Sequence, residues 1–220
     1  MHIATAQKTP QEHPAPAVHI VDDDRSIRTA TARFLRAAGC EVRTYATASE
    51  FLGSEPHRMT GCVILEVWLD GSSGFDVQQK LAASPHPLPI VFLSGRGEIP
   101  DSVRAMRSGA VDFLTKPTDG KTLLDAVARA MAKGAADRVR QQRLVGLRSR
   151  YARLSARERE VFAHLISGQL NKQIGFDLGI SEQTIKIHRH RVLRKMEAAS
   201  IADLVRVAID LGIGPVGSSR

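Results

Sequence analysis

Val18-His19-Ile20-Val21-Asp22-Asp23-Asp24 is a β-branched apolar run that breaks directly into three aspartates. Such a run predicts a buried strand, and the acids predict a loop at its carboxyl end. A helical pattern follows, with Ile27, Ala30, Phe34, Leu35 and Ala38 on one face and Gly39 just past its end. The same alternation then repeats. Val42-Arg43-Thr44-Tyr45, Cys62-Val63-Ile64-Leu65-Glu66-Val67, Ile90-Val91-Phe92-Leu93-Ser94 and Asp112-Phe113-Leu114-Thr115 read as four more strands, with helical stretches between them. Five strand–helix repeats in about 120 residues predict a doubly wound parallel α/β sheet. Function on such a sheet sits at the carboxyl ends of its strands.

Composition supports a folded, two-part chain. At 43% hydrophobic and 25% charged, the 220 residues can bury a core. No stretch approaches the 18 or so uninterrupted apolar residues of a membrane span. Residues 1–16 lack an apolar leader and carry several prolines, so they read as a disordered tail. Two cysteines, Cys40 and Cys62, are too few for a disulfide framework, and a reduced cytoplasmic protein is expected. The net charge of +8 is uneven. Residues 1–132 hold 14 Lys/Arg against 15 Asp/Glu, whereas residues 133–220 hold 17 against 8. Nucleic acid is the natural partner of the basic part.

From residue 119 to residue 150 the pattern is helical and Arg/Ala-rich, with Gly134 and Gly146 interrupting it. Residues 133–152 are therefore read as a helical linker joining a domain over 17–132 to a second over 153–215. In that second domain Ser155-Ala156-Arg157-Glu158 reads as a capping box. Helices are expected from there to near Gly168, then over Asn171–Leu178 and, after Gly179-Ile180-Ser181, over Glu182–Met196. The last of these carries Lys186, His188, Arg189, His190, Arg191, Arg194 and Lys195. Two helices joined by a short glycine-containing turn, the second dense in cations, is a helix-turn-helix layout. Ile201, Leu204, Val205 and Ala208 predict a final amphipathic helix.

At the predicted sheet edge Asp22 and Asp23 follow the first strand and Glu66 closes the third. Ser94 closes the fourth and Lys116 follows the fifth. Carboxylates at such an edge suit a hard divalent cation such as Mg²⁺ bridging to a phosphoryl group, whose oxygens a lysine and a hydroxyl would contact. Taken singly, Asp22 to Asp24 would read as a helix cap run and Lys116 as surface. Their convergence at strand ends favours a pocket.

The first half resembles the receiver domain of two-component response regulators, in its FixJ-like branch. The resemblance rests on Val21-Asp22-Asp23-Asp24, Phe92-Leu93-Ser94-Gly95-Arg96-Gly97, the run from Ala105-Met106 to Ala110, and Phe113-Leu114-Thr115-Lys116-Pro117. The second half resembles the LuxR-type helix-turn-helix effector through Leu154-Ser155, Arg157-Glu158-Arg159-Glu160-Val161, Asn171-Lys172-Gln173-Ile174, Ile180-Ser181, Thr184-Ile185-Lys186 and His188. Together these imply a NarL/FixJ-family regulator with a flavodoxin-like receiver and a small all-α DNA-binding domain. The resemblance makes Asp22 and Asp23 metal-binding acids, with Glu66 and the Trp68 backbone completing a Mg²⁺ site. It makes Ser94 the switch hydroxyl, Phe113 the rotating aromatic and Lys116 the phosphate-sensing lysine, with a cis Lys116–Pro117 bond.

The sequence departs from that family at its centre. The phosphoacceptor position, an aspartate in the family, is Glu66, and the usual Met-Pro-Gly turn reads Leu69-Asp70-Gly71. Glutamate carries its carboxylate one C–C bond further out, roughly 1.5 Å. Misplacement by about 1 Å costs on the order of a hundredfold in rate. Three readings of Glu66 stay open: a substitution that blocks or mimics phosphorylation, a receiver that signals without phosphate, or a glutamate phosphorylated slowly.

In the reader, the resemblance places Lys186, Ile187 and His190 toward base edges, His190 replacing a more usual lysine or asparagine. Lys172, Thr184, Arg189 and Lys195 are expected at phosphates. The implied partners are promoter DNA with an inverted repeat, a cognate sensor histidine kinase, a second copy of the chain in the active state, and RNA polymerase. No membrane and no catalytic residues are expected. A nucleotide-dependent enzyme would need a glycine-rich turn after the first strand, where three aspartates stand instead. An RNA-binding antiterminator is disfavoured by the cationic helix, which suits duplex DNA.

Overall fold

The computed structural model describes residues 15–96 and 98–216. Residues 1–14 of the expected tail and Gly97 of the turn after the fourth long strand lie outside the described residues. The chain divides into two compact units between Arg138 and Val139.

In the first unit β1 (Ala17–Val21) leads to α1 (Arg25–Ala37), β2 (Val42–Tyr45) and α2 (Ala48–Gly53). After a 3₁₀ turn at Pro56–Arg58 come β3 (Gly61–Leu65), the short strands β4 (Trp68–Leu69) and β5 (Ser72–Ser73), and α3 (Gly74–Ala82). Then follow β6 (Ile90–Ser94), α4 (Ile99–Arg107), β7 (Asp112–Thr115) and α5 (Gly120–Ala152), whose residues from Val139 on belong to the second unit. Strands β2-β1-β3-β6-β7 form one sheet in that order, every pair parallel. This is the doubly wound order expected from the repeats, with its switch point beside β1 and β3.

The alternation of side chains along each strand splits the core into two layers. Val63, Leu65, Phe75 and Phe92 lie on one side. Ile20, Leu35, Ile64, Val91, Leu114 and Ala126 lie on the other. All five residues of β3 are buried, which accounts for its unbroken apolar text. It ends at Leu65, so Glu66 and Val67 lie just beyond the strand rather than in it. The β4–β5 hairpin was not foreseen, although its Asp70-Gly71 turn is a hairpin signal and Gly71 has φ +74°.

Helix α5 runs unbroken through both glycines and through all of residues 133–152. At Gly134 the reason is close approach: an added Cβ would lie 2.8 Å from the Gly61 carbonyl oxygen and 3.3 Å from Pro89. Near its end, Leu147 and Tyr151 join the core of the second unit.

That unit holds α6 (Ala156–Ile166), α7 (Asn171–Leu178), α8 (Glu182–Met196) and α9 (Ile201–Leu211). Ser155 and Glu158 form the expected capping box at α6. Gly179 takes the left-handed φ of +65° that ends α7, and Ser181 caps α8 by accepting from the Thr184 amide at 3.1 Å. Val161, Leu165, Ile174, Ile185, Val192, Met196 and Leu204 are buried together. Among the described residues no helix is long and apolar enough to cross a membrane.

Candidate functional site

Backbone rungs just past the strands align the sheet edge. Glu66 N donates to Val21 O at 3.0 Å and Lys116 N to Ser94 O at 2.8 Å. Asp24 separates from its neighbours by capping α1, accepting from Ser26 N at 2.7 Å and Ile27 N at 3.1 Å. Asp22 is thereby left to the sheet edge, where it meets Glu66, Ser94 and Lys116 in one buried cluster.

Glu66 is its centre. Oε1 accepts from Ser94 Oγ at 2.6 Å, Val67 N at 2.8 Å and Trp68 N at 3.3 Å. Oε2 accepts from Lys116 Nζ at 2.6 Å and Gly95 N at 3.2 Å. Lys116 Nζ also donates to Asp22 Oδ2 at 2.7 Å, and Asp22 Oδ1 takes the Asp24 amide at 2.9 Å. Ser94 is fully buried, and Asp22 and Glu66 nearly so. The Lys116–Pro117 peptide is cis.

Burial pushes the Glu66 carboxyl up, but the hydrogen bonds from Lys116 and Ser94 outweigh it and leave Glu66 below the usual carboxylate range. At Asp22 burial wins and its carboxyl stands above that range despite Lys116. Burial lowers the Lys116 ammonium, yet hydrogen bonds to Asp22 and Glu66 carry it above the ordinary lysine value. The cluster is a lysine held between two acids with a hydroxyl drawn in.

Asp23 stands apart. Its Oδ2 accepts from the Asp70 amide at 3.0 Å, across from the hairpin. A proline at position 70 would have no such amide. Arg28, not anticipated from the sequence, donates through Nη1 to the Asp22 carbonyl at 2.5 Å and the Asp23 carbonyl at 3.2 Å. Its only signal was a cation one helical turn beyond the acidic loop. Trp68 is 53% exposed beside the pocket. Phe113 packs half-buried against the core, its ring 5.9 Å from that of Phe92.

The expected Mg²⁺ shell of Asp22, Asp23, Glu66 and the Trp68 carbonyl does not fit these residues. Among the described residues no group of three or more His, Cys, Asp or Glu is placed to hold a metal ion. The donor set explains why. Both Glu66 oxygens are occupied by donors from within the chain, and an ammonium already lies between Asp22 and Glu66. The longer glutamate arm brings its carboxylate to Lys116 and Ser94, where a cation or phosphoryl oxygen was expected.

In the helical unit, Lys186, Ile187, His190, Arg191 and Arg194 line one shallow groove along the exposed face of α8. The cations Arg191 and Arg194 were seen in the sequence but not assigned to the interface; the i, i+4, i+8 spacing of Lys186, His190 and Arg194 and the i, i+4 spacing of Ile187 and Arg191 could have shown it. Lys172 is exposed at the start of α7. Three residues expected at phosphates also have partners within the unit. Thr184 Oγ1 lies 2.8 Å from the capping Ser181 hydroxyl. Arg189 donates to Asn171 Oδ1 at 3.4 Å. Lys195 donates to Glu158 at 2.6 Å and to the Arg153 carbonyl at 3.2 Å, tying α8 to the start of α6. The Lys195 ammonium is thus paired with a buried carboxylate, its side chain 34% exposed. His188 is half-buried.

The chain matches the response regulator receiver domain over residues 18–128 and the bacterial regulatory proteins of the luxR family over residues 152–208. The response regulator protein TodT of Pseudomonas putida is 41% identical over 193 residues, covering 88% of this chain and 85% of TodT. The transcriptional regulatory protein FixJ of Azorhizobium caulinodans is 35% identical over 198 residues, covering 90% of this chain and 94% of FixJ. The solved structure of the response regulator StyR, 39% identical, superimposes with a TM-score of 0.76 over 88% of this chain and 98% of StyR. With a parallel sheet whose strand ends gather two acids, a hydroxyl and a lysine, and a cationic helix in a helix-turn-helix, the chain belongs to the NarL/FixJ family of two-component response regulators, a non-enzymatic receiver joined to a LuxR-type DNA-binding domain.

Proposed function

We propose that this DNA-binding response regulator is set by Glu66 itself, acting as a resident stand-in for a phosphorylated aspartate, and that it works in the cytoplasm as a promoter-bound homodimer. Receiver domains use Mg²⁺ for phosphorylation. Here the observation that carries the reading is the Glu66 carboxylate, which takes Ser94 Oγ and Lys116 Nζ at 2.6 Å each. Those are the hydroxyl and the ammonium that a phosphoryl group would engage. The inward packing of Phe113 against Phe92 accords with an engaged Ser94. The mimic is partial, since a phosphoryl group adds about −1.5 to −2 charges and three acceptor oxygens, against one charge and two oxygens from Glu66.

The groove of Lys186, Ile187, His190, Arg191 and Arg194 then enters the major groove, with Lys172 at a phosphate. An inverted-repeat duplex suits two copies of the reader, and RNA polymerase and a sensor histidine kinase are the remaining partners. The test begins with selection of bound duplexes from a random library. Affinity for the selected duplex is then measured for the natural chain, Glu66→Gln, and Glu66→Asp with and without Mg²⁺ and a small phosphodonor. Tight binding by the natural chain without phosphodonor, weakened in Glu66→Gln, is the expected result. Equal affinity of the natural chain and Glu66→Gln refutes the proposal.

A further inference from the structure

We infer that the pocket excludes its divalent cation, with Lys116 as the resident cation and the Asp70 amide as a second hold, so that this receiver is insensitive to Mg²⁺. The inference rests on the same Glu66 geometry as the functional reading but concerns metal binding, which is measured separately.

A divalent ion at a receiver edge needs carboxylate oxygens with free lone pairs, and Mg²⁺ surrenders its waters reluctantly. Each acid at this edge already accepts from a donor of the chain, and Glu66 does so to the full capacity of its two oxygens. Asp22 accepts from Lys116 Nζ at 2.7 Å and Asp24 N at 2.9 Å. Glu66 accepts five hydrogen bonds through its two oxygens. Asp23 accepts from Asp70 N at 3.0 Å. Two departures from the family pattern act together here. Glutamate at 66 has the reach to meet Ser94 and Lys116, and aspartate at 70 supplies an amide hydrogen that proline lacks.

Charge points the same way. Lys116 lies between two carboxylates, its side chain only 13% exposed. The Arg28 guanidinium lies against the backbone of the same loop, 2.5 Å from the Asp22 carbonyl. An entering dication would have to displace one cation and sit beside another, and a freed ammonium would lose two charge-assisted bonds in a buried site.

The chain's single tryptophan makes this measurable, because the Trp68 amide donates to Glu66 Oε1 and its side chain is half exposed at the pocket mouth. Trp68 fluorescence of the full chain is followed during titration with Mg²⁺, at constant ionic strength, up to millimolar concentration. The natural chain is expected to show no saturable change. Glu66→Asp, which withdraws the carboxylate from Lys116, and Lys116→Met, which removes the resident cation, are each expected to gain one. Circular dichroism establishes that each variant is folded, and a rise in thermal midpoint with Mg²⁺ gives an independent readout of binding. A saturable response in the natural chain overturns the inference, as does silence from both folded variants. A flat natural trace with a responsive variant supports it even where Glu66→Gln binds DNA as tightly as the natural chain, which would refute the functional reading alone.

Discussion

Replacing Glu66 by glutamine probes the pocket with the smallest change of shape. The amide offers one acceptor and one donor where the carboxylate offered two acceptors. With its oxygen toward Ser94, Val67 N and Trp68 N, its NH₂ faces Lys116 Nζ and Gly95 N, both donors. Flipped, it opposes Val67 N and Trp68 N instead. Either way two donors lose their acceptor. A hydrogen bond to a charged group contributes about 1.5–3 kcal/mol and a neutral one about 0.5–1.5 kcal/mol. Lys116 keeps Asp22 as a partner, so the loss stays below the 3–5 kcal/mol or so of an orphaned buried charge. The expected cost is about 2–3 kcal/mol.

Urea unfolding followed by Trp68 fluorescence reports on the first unit alone, since that unit contains the only tryptophan. With an m-value of about 2 kcal/mol/M, the midpoint falls by about 1 M. The difference depends on pH with a definite sign. The Glu66 carboxyl stands below its ordinary value in the folded chain, so its stabilisation is complete above an unfolded pKa of about 4.3 and fades as pH drops through the folded value. Below that the two proteins converge. A glutamine variant as stable as the natural chain at pH 7, or more so, refutes the reasoning, because the buried carboxylate would then cost what its bonds return.

Two alanine substitutions within α5 should have opposite signs. Gly134→Ala drives a Cβ to 2.8 Å from the Gly61 carbonyl and should lower stability by about 1–3 kcal/mol. Gly146→Ala meets nothing within 4 Å and should raise it by up to about 1 kcal/mol through helix propensity. Thermal melts of both variants decide the matter, and a shared sign would contradict the close approach at Gly134. In the reader, Lys172→Ala should flatten the dependence of log affinity on log salt by about 0.9, one phosphate contact. Lys195→Met, whose ammonium is held by Glu158, should lower the melting midpoint of the helical unit with the salt slope unchanged. A slope change for Lys195→Met would return it to the interface.

Much of this molecule is legible in one dimension because secondary structure is periodic and local. The alternation of buried runs with amphipathic stretches marked all five strands of the sheet, and the capping box at Ser155 and the Gly179-Ile180-Ser181 turn marked two helix starts. Strand ends in a parallel sheet share an edge, so the text could also bring Asp22, Glu66, Ser94 and Lys116 together before any coordinates. Gly134 and Gly146 interrupt the helical text without ending the helix, and a glycine read alone carries no record of what lies against it.

Sequence cannot state which lone pair meets which proton, since that depends on side-chain reach across strands far apart in the chain. Coordinates show the Lys116 ammonium seated between Asp22 and Glu66, and Asp23 turned to the Asp70 amide. They show Lys195 bound inward while Arg191 and Arg194 face out. Angstrom-scale pairing of this kind separates a carboxylate that holds a metal from one that holds a lysine, because hydrogen bonds and ion pairs fall off steeply with distance and angle.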